Sequence, residues 1–199
     1  DLSQITRADS ACLSLIFTAL RQKAQGSLKI QYNPPLYFPK HKPMKYLPYG
    51  LVALAAIILD QISKSAVLAR FEYQERLNII PHFFDLTLVY NPGAAFSFLA
   101  NMGGAQKYLF IVLAFVISGY LARGIAKSEF GKLGNWAAAM IIGGALGNVI
   151  DRFVHEKVVD FLLFYWGDHY YPAFNVADSF ICVGAVLLAI DSIKHKKAA

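Results

Sequence analysis

Two aspartates lie in strongly apolar sequence, and their residue type and placement are those of an acid–base pair. Asp160 follows two valines, and Asp178 lies in the mainly apolar segment 174–181. An ionised Asp near the middle of a bilayer costs roughly 2.5–3.5 kcal/mol on insertion scales, so such residues indicate function. Two carboxylates within a few ångströms can share one proton. The ionised partner can then activate a water while the protonated partner donates to a carbonyl oxygen or leaving amine. The pattern favours metal-free hydrolysis of a peptide bond, although two separate interfacial carboxylates would fit the spacing as well.

Two further groups of polar residues could support or compete with this pair. Asp60 and Lys64 are four residues apart, which places them on one helical face as an ion pair. We expect this pair to anchor its helix, with catalysis as the alternative. Asn148, Asp151 and Arg152 follow the small-residue run 143–147, whose GxxxG spacing predicts close helix packing. Asp151 beside Arg152 is either a buried ion pair or a substrate clamp, and the spacing does not distinguish the two.

The motifs of other catalytic classes are incomplete or missing. The segment 155–159 begins as a zinc-protease HExxH motif, but Val159 stands where the second histidine is needed. The chain has no P-loop, no Gly-x-Gly-x-x-Gly and no Gly-x-Ser-x-Gly elbow. We therefore expect neither a metal nor a cofactor.

The composition indicates which elements must position these residues. The chain has 199 residues, of which 56% are hydrophobic and 16% are charged, as in an integral membrane protein. A membrane-spanning helix needs about 20 mainly apolar residues, and four segments approach this length. They are residues 46–68, 108–123, 133–152 and 174–193. The predicted fold class is an all-α membrane protein, a four-helix transmembrane bundle with a small β element on its outer face.

The distribution of basic residues predicts the orientation of the spans. Six of the 19 Lys and Arg residues lie within residues 1–43, so the net charge of +6 belongs mainly to that segment and does not indicate nucleic-acid binding. Basic residues also precede the first span, fill the second loop and follow the fourth span. The positive-inside rule makes these segments cytoplasmic, with both termini inside and both aspartates at the outer face.

The segments outside the spans have distinct compositions. Residues 1–43 are polar and Pro-rich, and we expect a disordered or non-native extension ahead of a membrane domain that covers residues 44–199 and starts at Met44. Residues 86–90 read as a strand that ends in Asn91-Pro92-Gly93, where Gly93 can adopt a positive φ. The third loop is rich in aromatic residues and is expected to lie at the membrane surface, either as a plain anchor or as a lipid-binding segment.

Five motifs, taken together, resemble the bacterial lipoprotein signal peptidase family, also called signal peptidase II. The resemblance covers residues 44–199 and rests on segments 60–64, 90–97, 143–152, 158–161 and 174–179. It implies an inner-membrane aspartic endopeptidase that removes signal peptides from diacylglyceryl-modified prolipoproteins, cutting before the lipidated cysteine. It further implies a small outer β-cradle and inhibition by the cyclic peptide globomycin.

The resemblance also implies a role for each site residue. Asp160 and Asp178 correspond to the catalytic dyad, and Asp60 with Lys64 to a structural pair in the first span. The supporting or substrate-binding set is Asn91, Gly93, Asn148, Asp151, Arg152 and Asn175. In this interpretation Asn91, Asn175 and Arg152 hold carbonyl groups of the substrate. The expected partners are prolipoproteins, membrane lipids and globomycin-like inhibitors, and the protein is expected to be a monomer.

Two alternatives remain at this point. A four-span ion or proton-coupled transporter, or a lipid-binding scaffold, would also use intramembrane carboxylates, but it would need polar groups at mid-depth in every span. The second predicted span has only Ser118 and Tyr120 as polar interruptions. The other alternative is an aspartic protease that cleaves ordinary transmembrane substrates, which a comparison of lipidated and unlipidated substrates would test.

Overall fold

The described part of the protein forms a four-helix bundle with a small sheet at one end. The structure is a computed structural model that describes residues 45–93 and 105–196. The predicted extension at 1–43, the start at Met44 and the 94–97 part of the second motif lie outside the described residues. The helices are α1 (Leu47–Leu68), α2 (Gln106–Lys127), α3 (Lys132–Val154) and α4 (Val176–Lys196). Each is long and apolar enough to cross a membrane, which confirms the four predicted spans.

Helix α3 is the centre of the bundle, because it packs against each of the other three helices. Its small residues make this possible. A side chain added at Gly143 would lie 2.5 Å from the carbonyl oxygen of Ala53 in α1, and one added at Gly147 would lie 2.7 Å from a carboxylate oxygen of Asp60. The two glycines of the GxxxG spacing therefore face α1, as expected for close approach of two helix backbones.

Four antiparallel strands form the sheet in the order β1-β2-β3-β4. They are β1 (Arg76–Ile80), β2 (Phe84–Asn91), β3 (Val158–Trp166) and β4 (His169–Tyr170). The predicted strand at 86–90 is part of β2. The aromatic third loop contains β3, whose residues pair with β2 across the sheet. The location of this loop at the membrane surface stays a prediction. In this register Val89 lies opposite Asp160.

A small apolar core joins the sheet to the bundle. It contains Val67 at the end of α1, Leu88 of β2, and Val159 and Phe161 of β3, all buried. Because β1 and β2 follow α1 while β3 and β4 connect α3 to α4, the sheet lies where α1 and α3 end and α4 begins. The side chains that flank Asp160 on β3 are thus fixed by packing, which also fixes the position of Asp160.

Candidate active site

Asp160 and Asp178 lie on either side of one asparagine side chain. Asp160 is on β3 and only 2% exposed, and Asn175, fully buried just before α4, donates an amide hydrogen bond of 2.7 Å to its Oδ1. The side-chain oxygen of Asn175 accepts a 2.8 Å hydrogen bond from the backbone N–H of Asp178. The sequence-predicted pair is therefore brought together, although the two aspartates come from a strand and a helix.

Asp178 is held as part of the N-terminal cap of α4. Asn175 is the cap residue, and its backbone N–H lies 3.4 Å from Oδ2 of Asp178 while its side chain accepts from the N–H of Asp178. This reciprocal arrangement is a capping box, which satisfies two helix-terminal donors. A carboxylate is also favoured at this position by the positive end of the helix dipole. Asn175 and Asp178 are three residues apart, so this spacing was a signal available in the sequence.

The environment of Asp160 favours its protonated form. Burial, together with the nearby negative charge of Asp178, raises the pKa of Asp160 from 3.8 to about 7. Hydrogen bonds from Asn91 and Asn175 and the charge of Lys64 act in the opposite direction and lower this pKa. Near neutral pH the site can therefore keep a proton on one carboxyl group.

Three asparagine amides point their N–H groups at the two carboxylates, and in each case the amide oxygen has a donor of its own. The oxygen of Asn91 accepts from the backbone N–H of Gly93 at 2.9 Å, which turns its amide nitrogen towards Asp160. The oxygen of Asn148 accepts from Lys64 at 3.0 Å, and its nitrogen donates to Asp178 at 2.7 Å. Asn175 follows the same rule. The amide orientations are therefore determined by their hydrogen-bond partners.

A buried ionic cluster lies beneath these amides. Lys64 Nζ is 2.8 Å from Oδ2 of Asp60 and 2.8 Å from Oδ2 of Asp151, with every member at most 3% exposed. The other oxygen of Asp60 accepts from the backbone N–H of Ala177 in the first turn of α4. Asp60 thus connects α1 to α4, in agreement with an anchoring role.

Asp151 pairs with Lys64 and not with its sequence neighbour Arg152. Its Oδ2 also accepts a 3.0 Å hydrogen bond from the backbone N–H of Val159, directly before Asp160 on β3. Its Oδ1 accepts from Gln61 at 3.0 Å. Both oxygens are therefore engaged within the protein, which favours a supporting role over a substrate clamp. Sequence reasoning assigned no role to Gln61, since a polar residue in a span does not reveal its partners.

Arg152 lies at the edge of the site with a largely uncommitted guanidinium group. Its Nη1 donates to the backbone oxygen of Asn148 at 2.9 Å, and its guanidinium carbon is 5.0 Å from the ring centre of Phe110 on α2. Within residues 45–93 and 105–196, it forms no ion pair shorter than 4.0 Å. Phe110 was not predicted, because an aromatic residue in an apolar span carries no distinguishing signal.

The incomplete zinc motif does not form a metal site in the described part of the chain. Glu156 instead pairs with Lys107 at 2.6 Å, and the described residues contain no group of three or more His, Cys, Asp or Glu side chains that could hold a metal ion. The arrangement of Asp160 and Asp178 can perform acid–base activation of water by two carboxyl groups.

Comparisons with known proteins point to a family of membrane peptidases. The family model described as Signal peptidase (SPase) II matches residues 52–194. A lipoprotein signal peptidase of Neisseria meningitidis serogroup C is 68% identical over 149 residues, covering 75% of this chain and 91% of the relative. One from Chromobacterium violaceum is 57% identical over 147 residues, covering 73% and 90%.

Solved structures extend the agreement to the fold. Two structures described as a bacterial membrane enzyme are each 29% identical to this chain, with TM-scores of 0.64 and 0.66. The aligned parts cover 72% and 75% of this chain and 90% and 89% of those structures. Together with the family match, these similarities favour a peptidase over the transporter alternative.

Proposed function

The chain belongs to the signal peptidase II family, and on this premise we propose that it removes signal peptides from diacylglyceryl-modified prolipoproteins. The cut is placed on the N-terminal side of the lipidated cysteine, with Asp160 and Asp178 as the catalytic dyad. The observation that carries the proposal is the shared Asn175, which binds the Asp160 carboxylate and the Asp178 backbone at 2.7 and 2.8 Å.

In the proposed mechanism the dyad carries one proton. The ionised carboxylate takes a proton from a water whose oxygen attacks the scissile carbonyl carbon, while the protonated carboxyl donates to the carbonyl oxygen. In the resulting gem-diol intermediate, the carboxyl group that took the water proton donates it to the amine nitrogen and the carbon–nitrogen bond breaks. One hydroxyl group of the intermediate returns its proton to the other carboxylate, so the dyad again holds one proton. The products are a new carboxyl terminus and a new amino terminus on the lipidated cysteine. The raised pKa of Asp160, about 7, supports Asp160 as the carboxyl group that is protonated at the start.

The supporting residues divide according to their hydrogen bonds. The amides of Asn91 and Asn175 already donate to Asp160, so orienting this carboxylate is a better assignment for them than holding substrate carbonyls. Among the described residues, the Arg152 guanidinium donates one hydrogen bond, to the backbone oxygen of Asn148, and we assign its other N–H groups to bind a carbonyl oxygen of the substrate.

The location of the site suits a substrate that is anchored in lipid. The dyad lies where α1 and α3 end and α4 begins, while the opposite end of the bundle carries Lys127 and Lys132 on either side of a short loop. By the positive-inside rule the site lies at the outer face of the cytoplasmic membrane and both chain ends lie inside. Acyl chains can then remain in the bilayer while the scissile bond meets water. We propose a monomer that works without a cofactor and that globomycin-like peptides inhibit.

The test is cleavage of a lipidated prolipoprotein by purified variants in detergent. Asp160→Asn and Asp178→Asn should each lose at least about 100-fold in rate, because each removes a group that transfers a proton. Asp168→Asn is the matched control, since this aspartate is exposed at the turn before β4 and should leave the rate unchanged. Near-normal turnover by either dyad variant would exclude that residue. Equal cleavage of unlipidated substrate would instead indicate the protease of ordinary transmembrane substrates.

A further inference from the structure

Phe110 of α2 lies against the candidate active site, while other apolar side chains of the same helix face outward. The apolar side chains of Leu109 and Val112 on this helix are exposed at 49% and 59%, as expected for a surface that faces lipid, whereas Ile111 is buried. Phe110 is only partly exposed, and its ring lies between two elements of the site. None of the residues that the sequence assigned to the site belongs to α2, and Phe110 brings this helix into contact with Arg152 and Gly93.

The face of the ring contacts Arg152. Its centre lies 5.0 Å from the guanidinium carbon, within the range of a cation–π contact. The one hydrogen bond of Arg152 in the described residues runs to the backbone oxygen of Asn148, one turn back on its own helix. A long side chain held at one nitrogen keeps considerable rotamer freedom. The ring removes part of this freedom without occupying the N–H groups in the guanidinium plane.

The same ring packs against the turn that carries Asn91. A Cβ atom built on Gly93 would lie 2.5 Å from Cε2 of Phe110, so the turn approaches the ring as closely as glycine allows. Gly93 has a φ of +93°, and its N–H donates to the side chain of Asn91 at 2.9 Å. A shift of the ring would therefore affect both Arg152 and the amide that contacts Asp160.

We infer that Phe110 is a positioning residue, which holds the Arg152 guanidinium by its π-face so that the N–H groups without a partner in the described part of the chain point at the substrate carbonyl. This inference rests on the proposed function, because it concerns how Arg152 serves the cleavage reaction. Phe110 does not touch the reacting atoms and acts through Arg152. Loss of a partly desolvated cation–π contact corresponds to a decrease of about 2- to 30-fold in an equilibrium or rate.

The experiment replaces Phe110 with mono-, di- and trifluorophenylalanine in the full-length enzyme and measures kcat/KM on a lipidated prolipoprotein. Fluorine withdraws electron density from the ring face with little change in shape, so it weakens a cation–π contact but preserves packing. We expect kcat/KM to fall stepwise with each fluorine, by about 2- to 30-fold for the trifluoro ring. The same series at Phe115, which is 52% exposed on the same helix, should show no change.

Two further variants separate positioning from packing. Phe110→Leu should reduce kcat/KM at least as much as the trifluoro ring, and in an Arg152→Gln background fluorination should have no further effect. If Arg152→Gln has no measurable rate, the same comparison is made on the midpoint of thermal unfolding. The inference would be overturned if kcat/KM did not change with fluorination of Phe110, or if the fluorine effect persisted in the Arg152→Gln background. Failure of the proposed function itself would be recognised separately, as turnover by Asp160→Asn.

Discussion

Replacing Lys64 with methionine tests whether the ionic cluster supports the site. The lysine ammonium lies between two carboxylates, with Nζ at 2.8 Å from Asp60 and 2.8 Å from Asp151. It also donates to the side-chain oxygen of Asn148 at 3.0 Å. Methionine has a similar length and is apolar, so Lys64→Met removes the charge, the hydrogen bonds to Asp60 and Asn148 and the ion pair with Asp151, with little change in volume.

The expected loss follows from the burial of the partners. Asp60 and Asp151 are 0% and 2% exposed, so the substitution leaves two buried carboxylates without their cation. Breaking a buried ion pair by removing one partner costs about 3–5 kcal/mol. In a domain of this size each kcal/mol corresponds to about 2–4 °C, so the thermal midpoint should fall by roughly 6–20 °C.

The assay is thermal unfolding in detergent, followed by circular dichroism, with Lys132→Met as the control. Lys132 is exposed at the first position of α3, and its replacement should change the stability by less than about 0.5 kcal/mol. Asp60→Asn/Lys64→Met, which removes one of the two stranded carboxylates, should recover part of the loss. An unchanged midpoint for Lys64→Met would refute the reasoning that this charge stabilises the fold.

Three other predictions concern the proton, the close helix contact and the far end of the bundle. Because the pKa of Asp160 is raised to about 7, kcat/KM should fall as the pH rises through 7. The folded state should lose stability between about pH 4 and 7, because over this range the unfolded chain has released the proton that the folded protein still holds. A thermal midpoint whose pH dependence is the same in Asp160→Asn would contradict this. Gly147→Ala places a methyl group 2.7 Å from Asp60 and should destabilise the protein by about 1–3 kcal/mol, whereas Gly119→Ala, with no atom within 4 Å, should be neutral or stabilising in the same melting experiment. Asp191→Ala removes the 2.9 Å hydrogen bond that Asp191 accepts from the N–H of Gly131 at the start of α3, which should reduce the stability by about 0.5–2 kcal/mol. The specific activity of the folded enzyme should be unchanged, because 13 residues of α4, roughly 20 Å, separate Asp191 from Asp178.

Features that depend on local spacing were predictable from the sequence. Four apolar runs of sufficient length predict the bundle, because a helix in lipid must satisfy its backbone within one segment. The ion pair of Asp60 and Lys64 follows from their separation by one helical turn. Consecutive spans cross the membrane in opposite directions, which brings Asp160 and Asp178 to one membrane face. This topology alone does not specify that the two aspartates share Asn175.

Features that depend on pairing over long sequence distances were not predictable. Residues 158–166 are rich in aromatic and β-branched side chains, which suit both a membrane-surface loop and a strand. The strand forms because β2, about 70 residues earlier, supplies a partner edge. Asp151 presents the same difficulty. Arg152 is the basic residue next to Asp151 in the sequence, yet Asp151 forms its ion pair with Lys64 on another helix. No local pattern in the sequence indicates this contact.

The positions of the two carboxyl groups are connected to the bundle through the asparagines. Lys64 donates to the oxygen of Asn148 and leaves its nitrogen to donate to Asp178, while Asp151 binds the backbone directly before Asp160. The Lys64 ammonium group therefore contacts two positioning residues, Asn148 for Asp178 and Asp151 for Asp160. A substitution in the cluster should change the protonation of the dyad as well as the stability, because the charge of Lys64 lowers the pKa of Asp160. In Lys64→Met this pKa should rise, and the basic limb of the pH–rate profile should move to higher pH in whatever fraction of the enzyme still folds.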